Sequence, residues 1–341
     1  MRGPHVVFRL SDPRVKEASG IGLGIRSPGV MYVQNDSGDS ARFFALNATT
    51  GRVLAVCDVP GATNVDWEDL AVAKDSRGVP SVWLADIGDN DANRKEIDIY
   101  RVDEPAVALS AGGSHVTTAP PQEWRLQYPN GPSDAESLAV APGGAAYIVT
   151  KAFDGQSRVY AVPAKPGSGS VRTLTQIGTI SFSITGSPDP FAPIGELTAT
   201  GAALSHDGSL LAVRTYSDAY VWRVAKGDVA AALHGPSTRI VLPEQPQGEG
   251  VTFAGTSLLT DSEKVDSAVY SVPLPVALTK PVAQRATASR APSPIVGSST
   301  SSSRASGSIL GSTSLRLVYL GAAVAALIGL WAGRRRRRRS R

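Results

Sequence analysis

A short sequence pattern recurs five times along the chain at long, uneven intervals. Three copies carry a glutamate next to apolar residues: DWEDLAV at 66–72, DAESLAV at 134–140 and QGEGVTF at 247–253. Two weaker copies, SGIGL at 19–23 and TGAAL at 200–204, have a hydroxyl residue in that place. The copies align on five positions, which we call the ring residues: Ser19, Glu68, Glu136, Thr200 and Glu249. Their spacings of 49, 68, 64 and 49 residues exceed those of helical solenoids and are typical of propeller blades with inserted loops.

Strand patterns fill the intervals in a constant order. Each unit has a strand with the ring residue, a second strand, a third of the Val-Tyr-x-Val type and an outer strand. The fifth unit lacks the outer strand, while the pattern HVVFRL at 5–10 belongs to no unit. We therefore expect residues 5–10 to supply it, which closes the ring and removes open sheet edges. The sequence predicts an all-β fold, a five-bladed β-propeller over residues 1–278.

A six-bladed propeller is the main alternative to this count. The long loops at 103–122 and 163–174 could hide further strands. Their proline, glycine and serine content favours loops and therefore five blades.

The chain changes character after the propeller. Residues 279–314 are rich in serine, threonine, proline and alanine and are predicted to form a disordered linker. Residues 315–333 are predicted to form one transmembrane helix, since 317–333 are 17 uncharged residues, the short end of what spans a bilayer. Residues 334–341 form an arginine-rich tail that favours the cytoplasmic side.

This orientation predicts a single-pass protein of the cell membrane with an extracellular propeller. Export would require a signal peptide, and the strand pattern at 5–10 leaves no room for one before it. We expect that the start as given lacks the signal. The alternative is a tail-anchored protein that faces the cytoplasm.

The charge distribution bears on possible partners. Twelve of the 34 basic side chains lie at or after Lys280, which leaves 22 basic against 30 acidic side chains and a net charge of −8 for residues 1–279. An acidic body disfavours nucleic acid as a partner, because phosphate binding needs a basic face. Cations are compatible with it, and the predicted partners are the membrane, a surface partner or a small anionic ligand.

The ring residues predict a metal site. In a propeller the first strand of each blade lines the central channel, so Glu68, Glu136 and Glu249 would converge there. Carboxylates held so close are unfavourable unless some are protonated or a cation lies between them. Ca²⁺ takes six to eight oxygen ligands, which three glutamates with Ser19, Thr200 and water could supply. Mg²⁺ fits less well because it demands octahedral geometry, and Zn²⁺ would need histidine or cysteine. The competing interpretation is that each glutamate only accepts main-chain N–H bonds at a loop-to-strand junction.

The five ring positions resemble those of the SdiA-regulated family of bacterial five-bladed propellers and, more distantly, of the calcium-activated nucleotidases (apyrases). The order Ser, Glu, Glu, Ser, Glu in those families matches this chain apart from Thr200, and the resemblance implies a central calcium. A looser similarity to esterase-like and phytase-like propellers lies in the Glu-Gly-Val and Thr-Gly-Ala motifs.

A second set of polar residues follows the second strands: Asp36, Asp86, Thr150, Lys151, Arg214, Asp261 and Glu263. Among them Asp86, Lys151 and Arg214 are the candidate catalytic residues, since two cations beside a metal could hold an anionic substrate. The sequence therefore predicts a calcium-containing binding or scaffold module, with a calcium-dependent hydrolase of phosphoester, phosphoanhydride or ester substrates as the alternative. The competing interpretation of this set is ordinary turn chemistry and charge neutralisation.

Overall fold

The computed structural model describes residues 3–280, and their secondary structure is almost entirely β. In chain order the strands are β1 (His5–Leu10), β2 (Ala18–Leu23), β3 (Val30–Asn35), β4 (Arg42–Asn47), β5 (Val53–Asp58), β6 (Trp67–Lys74), β7 (Pro80–Asp86), β8 (Ile97–Asp103), β9 (Ser114–Thr117), β10 (Gln122–Gln127), β11 (Ala135–Val140), β12 (Ala146–Thr150), β13 (Gln156–Ala161), β14 (Arg172–Thr173), β15 (Thr175–Ser181), β16 (Ala199–Leu204), β17 (Leu210–Thr215), β18 (Asp218–Arg223), β19 (Thr238–Val241), β20 (Gly248–Ala254), β21 (Ser257–Ser262) and β22 (Ser267–Pro273). The helical segments are a 3-10 turn (Ile194–Glu196), α1 (Val229–Leu233) and α2 (Val276–Thr279).

Five antiparallel sheets form the blades of a propeller, which confirms the predicted fold. From the inside outward, blade 1 is β2-β3-β4-β5, blade 2 is β6-β7-β8-β10, blade 3 is β11-β12-β13-β15 and blade 4 is β16-β17-β18-β19. Blade 5 is β20-β21-β22-β1. The innermost strands contact one another in the order β2, β6, β11, β16, β20 and back to β2, so the ring is closed.

The N-terminal strand closes the ring as the sequence predicts. β1 pairs antiparallel with β22, with His5 opposite Ser271 and Leu10 opposite Ser267. Phe8 and Leu10 of β1 are buried in an apolar cluster with residues of β2 to β5, β21 and β22. The first strand of the chain therefore completes the last blade and packs against the first.

The two long loops do contain strands, yet they build no sixth blade. β9 pairs parallel with β5 at the outer edge of blade 1, and β14 pairs parallel with β10 at the outer edge of blade 2. Each loop thus leaves its own blade, reaches back and adds a fifth strand to the preceding one. These short strands cover an outer edge that would otherwise be open.

Apolar clusters lie between neighbouring blades. Four such clusters join blades 1 and 2, blades 2 and 3, blades 3 and 4, and blades 5 and 1. Each cluster contains large aromatic residues, for example Trp83 and Trp124, whose rings lie 5.2 Å apart between blades 2 and 3. Burial of these side chains stabilises the blades against one another, by about 1.5–3 kcal/mol per large side chain.

The inner strands approach one another too closely for side chains at several positions. Glycine follows the ring residue in three blades, as Gly20, Gly201 and Gly250. A Cβ atom on Gly250 would lie 2.9 Å from the amide nitrogen of Ile21, and one on Gly201 would collide with the carbonyl oxygen of Glu249. Glycine at these positions allows the five inner strands to pack tightly around the axis.

Residues 1–274 form one compact unit and a second begins at Pro275. Of the second unit the structure describes only α2 and its flanking residues. Within residues 3–280, no helix has the length and apolar character that crossing a membrane requires. The predicted linker, transmembrane helix and arginine-rich tail lie beyond Lys280, outside the described residues, apart from the linker's first two.

Candidate functional site

All five ring residues occupy β-bulges. In the pairing of each inner strand with its second strand the register shifts, and the skipped residues are Ser19, Glu68, Glu136, Thr200 and, together with Gly250, Glu249. A bulge inserts an unpaired residue and redirects its side chain, which is why bulges are common beside functional sites. The recurring sequence pattern therefore corresponds to a backbone feature repeated in every blade.

The two hydroxyl residues of the ring connect neighbouring blades. Ser19 Oγ donates to the main-chain oxygen of Glu68 at 2.6 Å and also lies 3.5 Å from Glu68 Oε2. Thr200 Oγ1 donates to the main-chain oxygen of Gly248 at 2.9 Å. Both hydroxyl protons are thus used between inner strands.

The three glutamates of the ring are buried and interact electrostatically. Glu68, Glu136 and Glu249 are 4%, 5% and 3% exposed. Burial, together with Asp36 and Glu136, raises the pKa of Glu68 well above its ordinary value. Burial and Glu136 do the same to the pKa of Glu249, and burial raises the pKa of Glu136 to about 8 although Lys151 opposes the rise. Their shared environment disfavours three negative charges unless a cation is present.

A compact cluster of acidic groups lies between blades 1 and 2. Asp36, Asp66 and Glu68 each place one carboxylate oxygen within 4.8 Å of the other two, an arrangement that could hold a metal ion. Asp36 follows β3, Asp66 precedes β6 and Glu68 is the bulged residue of β6. Burial and Asp36 raise the pKa of Asp66 to about 7.

Asp134 and Glu136 continue this acidic surface into blade 3. We call Asp36, Asp66, Glu68, Asp134 and Glu136 together the acidic mouth, because all of them lie at the end of the channel where the inner strands begin. Asp134 Oδ1 accepts a bond from the amide of Asp89 at 2.8 Å, and burial raises the pKa of Asp134.

Gly88 lies directly against the cluster of blades 1 and 2. Its amide donates to the main-chain oxygen of Asp66 at 3.1 Å. A Cβ atom on Gly88 would lie 2.6 Å from Asp66 Oδ2 and would collide with Glu68 Oε1. The absence of a side chain here allows both carboxylates to lie against the main chain of Gly88.

The donor set of the acidic mouth consists of oxygen atoms. No histidine or cysteine takes part in the cluster among the described residues, so the site fits a hard dication and not Zn²⁺. Asp36, Asp66 and Glu68 would hold such an ion, with water or neighbouring carboxylates completing its shell. The ion would supply charge compensation beyond the partial compensation that Arg94 gives Asp66.

Two of the three candidate catalytic residues have internal roles. Asp86 is buried, accepts bonds from the amides of Val65 and Asp66 at 3.1 and 3.0 Å, and pairs with Arg94 at 2.8 Å. Arg214 is also buried, in the seam between blades 4 and 5. All five of its guanidinium N–H groups donate to main-chain oxygens or to the Gln245 side chain.

Lys151 alone of the three candidates lies in the acidic mouth, where its ammonium group pairs with Glu136 Oε1. Of the other members of the second set, Asp36 belongs to the acidic mouth, whereas Thr150 and Asp261 are held locally. Thr150 Oγ1 accepts from the amide of Arg158 at 2.8 Å, and Asp261 Oδ1 accepts from the amide of Gly250 at 2.6 Å. The structure therefore does not gather Asp86, Lys151 and Arg214 around one open pocket.

Two residues of the acidic mouth were not predicted as site residues although their signal is in the repeat. Asp66 and Asp134 each precede a ring glutamate by two residues, in the motif Asp-x-Glu, and both belong to the acidic mouth. Asp69, directly after Glu68, is a different case. Its Oδ2 accepts from the amides of Leu138 and Ala202 at 2.7 and 3.2 Å, so one carboxylate ties the inner strands of blades 2, 3 and 4 together.

Neither a protein-family model nor a curated protein matches the sequence. Among solved structures the chain is similar to the PQQ-bound form of aldose sugar dehydrogenase from Streptomyces coelicolor, with a TM-score of 0.42 and 13% identity over 79% of this chain and 98% of that one. Similarity at this level carries no inference about ligand or activity. The resemblance to SdiA-regulated propellers and apyrases stays a prediction.

Proposed function

We propose that this chain is a cation-dependent binding propeller, with Ca²⁺ held at the acidic mouth by Asp36, Asp66 and Glu68. One observation carries the proposal: three carboxylate oxygens from two blades meet within 4.8 Å. Uncompensated, such an arrangement is unfavourable, and a bound dication would convert the repulsion into attraction.

Two further features support a ligand at this place. The absence of a side chain at Gly88 allows the carboxylates of Asp66 and Glu68 to lie against its main chain. Glu136 Oε2, from the neighbouring blade, is buried without a hydrogen-bond partner among the described residues, and Glu136 interacts electrostatically with Glu68 and Asp36. A buried acceptor without a donor is costly, about 1–3 kcal/mol, and a water molecule bound to the ion would satisfy it.

Calcium suits the site better than magnesium. The carboxylates come from two loops and a bulge, backbone settings with no shared symmetry. Ca²⁺ accepts irregular coordination by carboxylates, main-chain oxygens and water, whereas Mg²⁺ requires a near-octahedral shell.

The geometry favours binding over hydrolysis. A hydrolase site would need Lys151 and Arg214 to face a common substrate beside the metal. Arg214 has all its N–H groups engaged inside the protein and Asp86 is paired with Arg94. We therefore propose a binding or scaffold role on the cell surface, for a partner that contacts the face around the acidic mouth.

The membrane attachment belongs to the same proposal. The uncharged stretch 317–333 followed by six consecutive arginines supports a single span with the propeller outside the cell. A fixed propeller on a linker would present its loops to partners beyond the membrane surface.

Thermal unfolding of the full-length protein in mild detergent tests the cation site. At Ca²⁺ concentrations about 100-fold above the dissociation constant, binding stabilises the folded state by about 2.7 kcal/mol, which corresponds to a rise in melting temperature of about 5 °C or more. Glu68→Gln should remove the rise, because it takes away one of the three charges. An unchanged melting temperature in the parent protein, with and without Ca²⁺, would rule the site out.

Gly88→Ala offers a test that keeps every carboxylate. Its Cβ atom would occupy the space between Glu68 Oε1 and Asp66 Oδ2, so we expect Ca²⁺ affinity to fall at least tenfold. Gly112→Ala is the matched control, since a Cβ atom there meets no other atom within 4 Å. If both alanine variants bind Ca²⁺ like the parent, the ion does not lie at this cluster.

A further inference from the structure

Lys151 is the one ammonium group paired with a ring residue among the described side chains. Its pairing partner is Glu136 Oε1, and both side chains are largely buried, at 9% and 6% exposure. We infer that Glu136 and Glu249 form a second cation site beside the proposed calcium site, and that the Lys151 ammonium group occupies it. This inference rests on the proposed function, because it explains why the mouth would hold one dication and not two.

Lys151 occupies a backbone position that recurs in blades 1 and 5. The amide of Lys151 donates to the main-chain oxygen of Asp134, two residues before Glu136, at 3.0 Å. Asp36 makes the equivalent bond to Glu17 in blade 1 at 2.8 Å, and Glu263 makes it to Gln247 in blade 5 at 2.9 Å. Blades 1 and 5 therefore place a carboxylate where blade 3 places an ammonium group.

The free carboxylate oxygens indicate that the second site is a cation site. Glu136 Oε2 and Glu249 Oε2 are both buried and, among the described residues, neither has a hydrogen-bond partner. Lys151 interacts electrostatically with both glutamates and with Asp134. The Lys151 ammonium group thus compensates the charge of several carboxylates only in part. Among the described residues, the Oε2 atoms of Glu136 and Glu249 stay without a hydrogen-bond donor.

The charge state of Lys151 is consistent with this role. Although burial lowers it, the nearby carboxylates, led by Glu136, hold the pKa of Lys151 well above its ordinary value. The side chain is therefore a permanent positive charge at neutral pH. A fixed internal cation lowers the attraction of Glu136 and Glu249 for a metal ion and confines a dication to the Asp36, Asp66 and Glu68 side.

Removal of the internal charge should open the second site. We expect Lys151→Gln to bind a second equivalent of Ca²⁺ per chain, or to bind the first at least tenfold more tightly, measured by equilibrium dialysis and calorimetric titration of the full-length protein. Calcium-free Lys151→Gln should melt below the parent, and added Ca²⁺ should raise its melting temperature more than it raises the parent's. Lys151→Arg, the control that keeps the charge, should behave like the parent.

Glu249→Gln provides a test that does not depend on the folding of a lysine variant. It should leave the single calcium equivalent of the parent intact, whereas Glu68→Gln removes it. Loss of that equivalent in Glu249→Gln would place Glu249 in the first site and overturn the inference. So would a Lys151→Gln variant with the stoichiometry and affinity of the parent.

The outcomes separate this inference from the proposed function. If the parent does not bind Ca²⁺ and Lys151→Gln binds one equivalent, the proposed calcium site is wrong and the lysine site stands. If the parent binds Ca²⁺ and Lys151→Gln binds it with the same stoichiometry and affinity, the proposed calcium site stands and the lysine site is wrong. If neither protein binds Ca²⁺, both are wrong.

Discussion

Asp69 shows what a single side chain contributes at the axis of this propeller. The equivalent residues of the other blades are small: Gly20, Ser137, Gly201 and Gly250. The space they leave is filled by one carboxylate, which accepts main-chain N–H bonds from its own strand and from the inner strands of blades 3 and 4. Burial raises the pKa of Asp69 well above its ordinary value, although these three hydrogen bonds lower it.

We expect Asp69→Asn to lower the free energy of unfolding by about 2–4 kcal/mol, measured by urea denaturation. In the variant, the side-chain NH₂ group would face at least one of the main-chain N–H groups that now donate to the carboxylate. That N–H group would lose its acceptor, and each buried donor without an acceptor costs about 1–3 kcal/mol. Asp66→Asn is the matched control three residues away. In calcium-free protein at pH 8 it should cause no loss, since it removes a charge from a repelling cluster. Equal losses in the two variants would contradict the role assigned to Asp69.

The sequence was sufficient to locate the ring residues but not their partners. Glu68, Glu136 and Glu249 stand out because they recur in register with a backbone bulge. Asp69 has no counterpart in the other repeats, so a pattern that depends on recurrence cannot reveal it. The link between Lys151 and Glu136 also depends on where two strands end in space, which spacing along the chain does not give.

At the level of strands, the blades were predictable because each has the same internal order. The apolar alternation of the four strands is strong. The segment at 5–10 belonged to no unit, and the fifth unit was the one that lacked an outer strand. β9 and β14 were missed because they are four and two residues long, largely exposed and paired in parallel with a distant edge. Their sequences carry little of the apolar signal that marks a blade strand.

The closing strand makes a testable contribution to stability. Phe8 is 6% exposed in the cluster between blades 5 and 1, whereas Val6 on the same strand is 43% exposed. Phe8→Ala should lower the free energy of unfolding by about 3–5 kcal/mol, because it leaves a cavity where the ring closes. Val6→Ala should change it by less than about 0.5 kcal/mol. Similar small effects of both substitutions in urea denaturation would show that β1 contributes little to closure.

At the scale of the whole molecule, an acidic body carries a group of buried carboxylates at one end of its channel. Residues 1–279 carry a net charge of −8, and the acidic mouth gathers five carboxylates, one of which, Glu136, interacts electrostatically with Glu249. In the absence of a dication, burial raises the pKa of Asp66 to about 7 and that of Glu136 to about 8. On β21, opposite the bulge of blade 5, burial also raises the pKa of Asp261 to about 7, which Arg214 partly offsets.

These shifts predict how the stability of the calcium-free protein depends on pH. Each group has a folded pKa above its unfolded value near 4, so between about pH 4 and pH 8 the folded state holds protons that the unfolded state has released. Stability is therefore greatest toward the acid side of this window and falls as pH rises through 7 and 8. With one extra proton held by the folded state, the free energy of unfolding falls by about 1.4 kcal/mol per pH unit.

Calcium should reverse this dependence, because it binds the ionised carboxylates. We expect the rise in melting temperature on addition of Ca²⁺ to be small at pH 5, where protons already neutralise the mouth, and largest at pH 8. Thermal melts of calcium-stripped and calcium-loaded protein across pH 5 to 8 measure both trends. Glu68→Gln should keep part of the decline but lose the calcium effect. A calcium effect of equal size at pH 5 and pH 8 would mean that the ion is bound by groups that do not titrate in this range, and the acidic mouth would then not be its site.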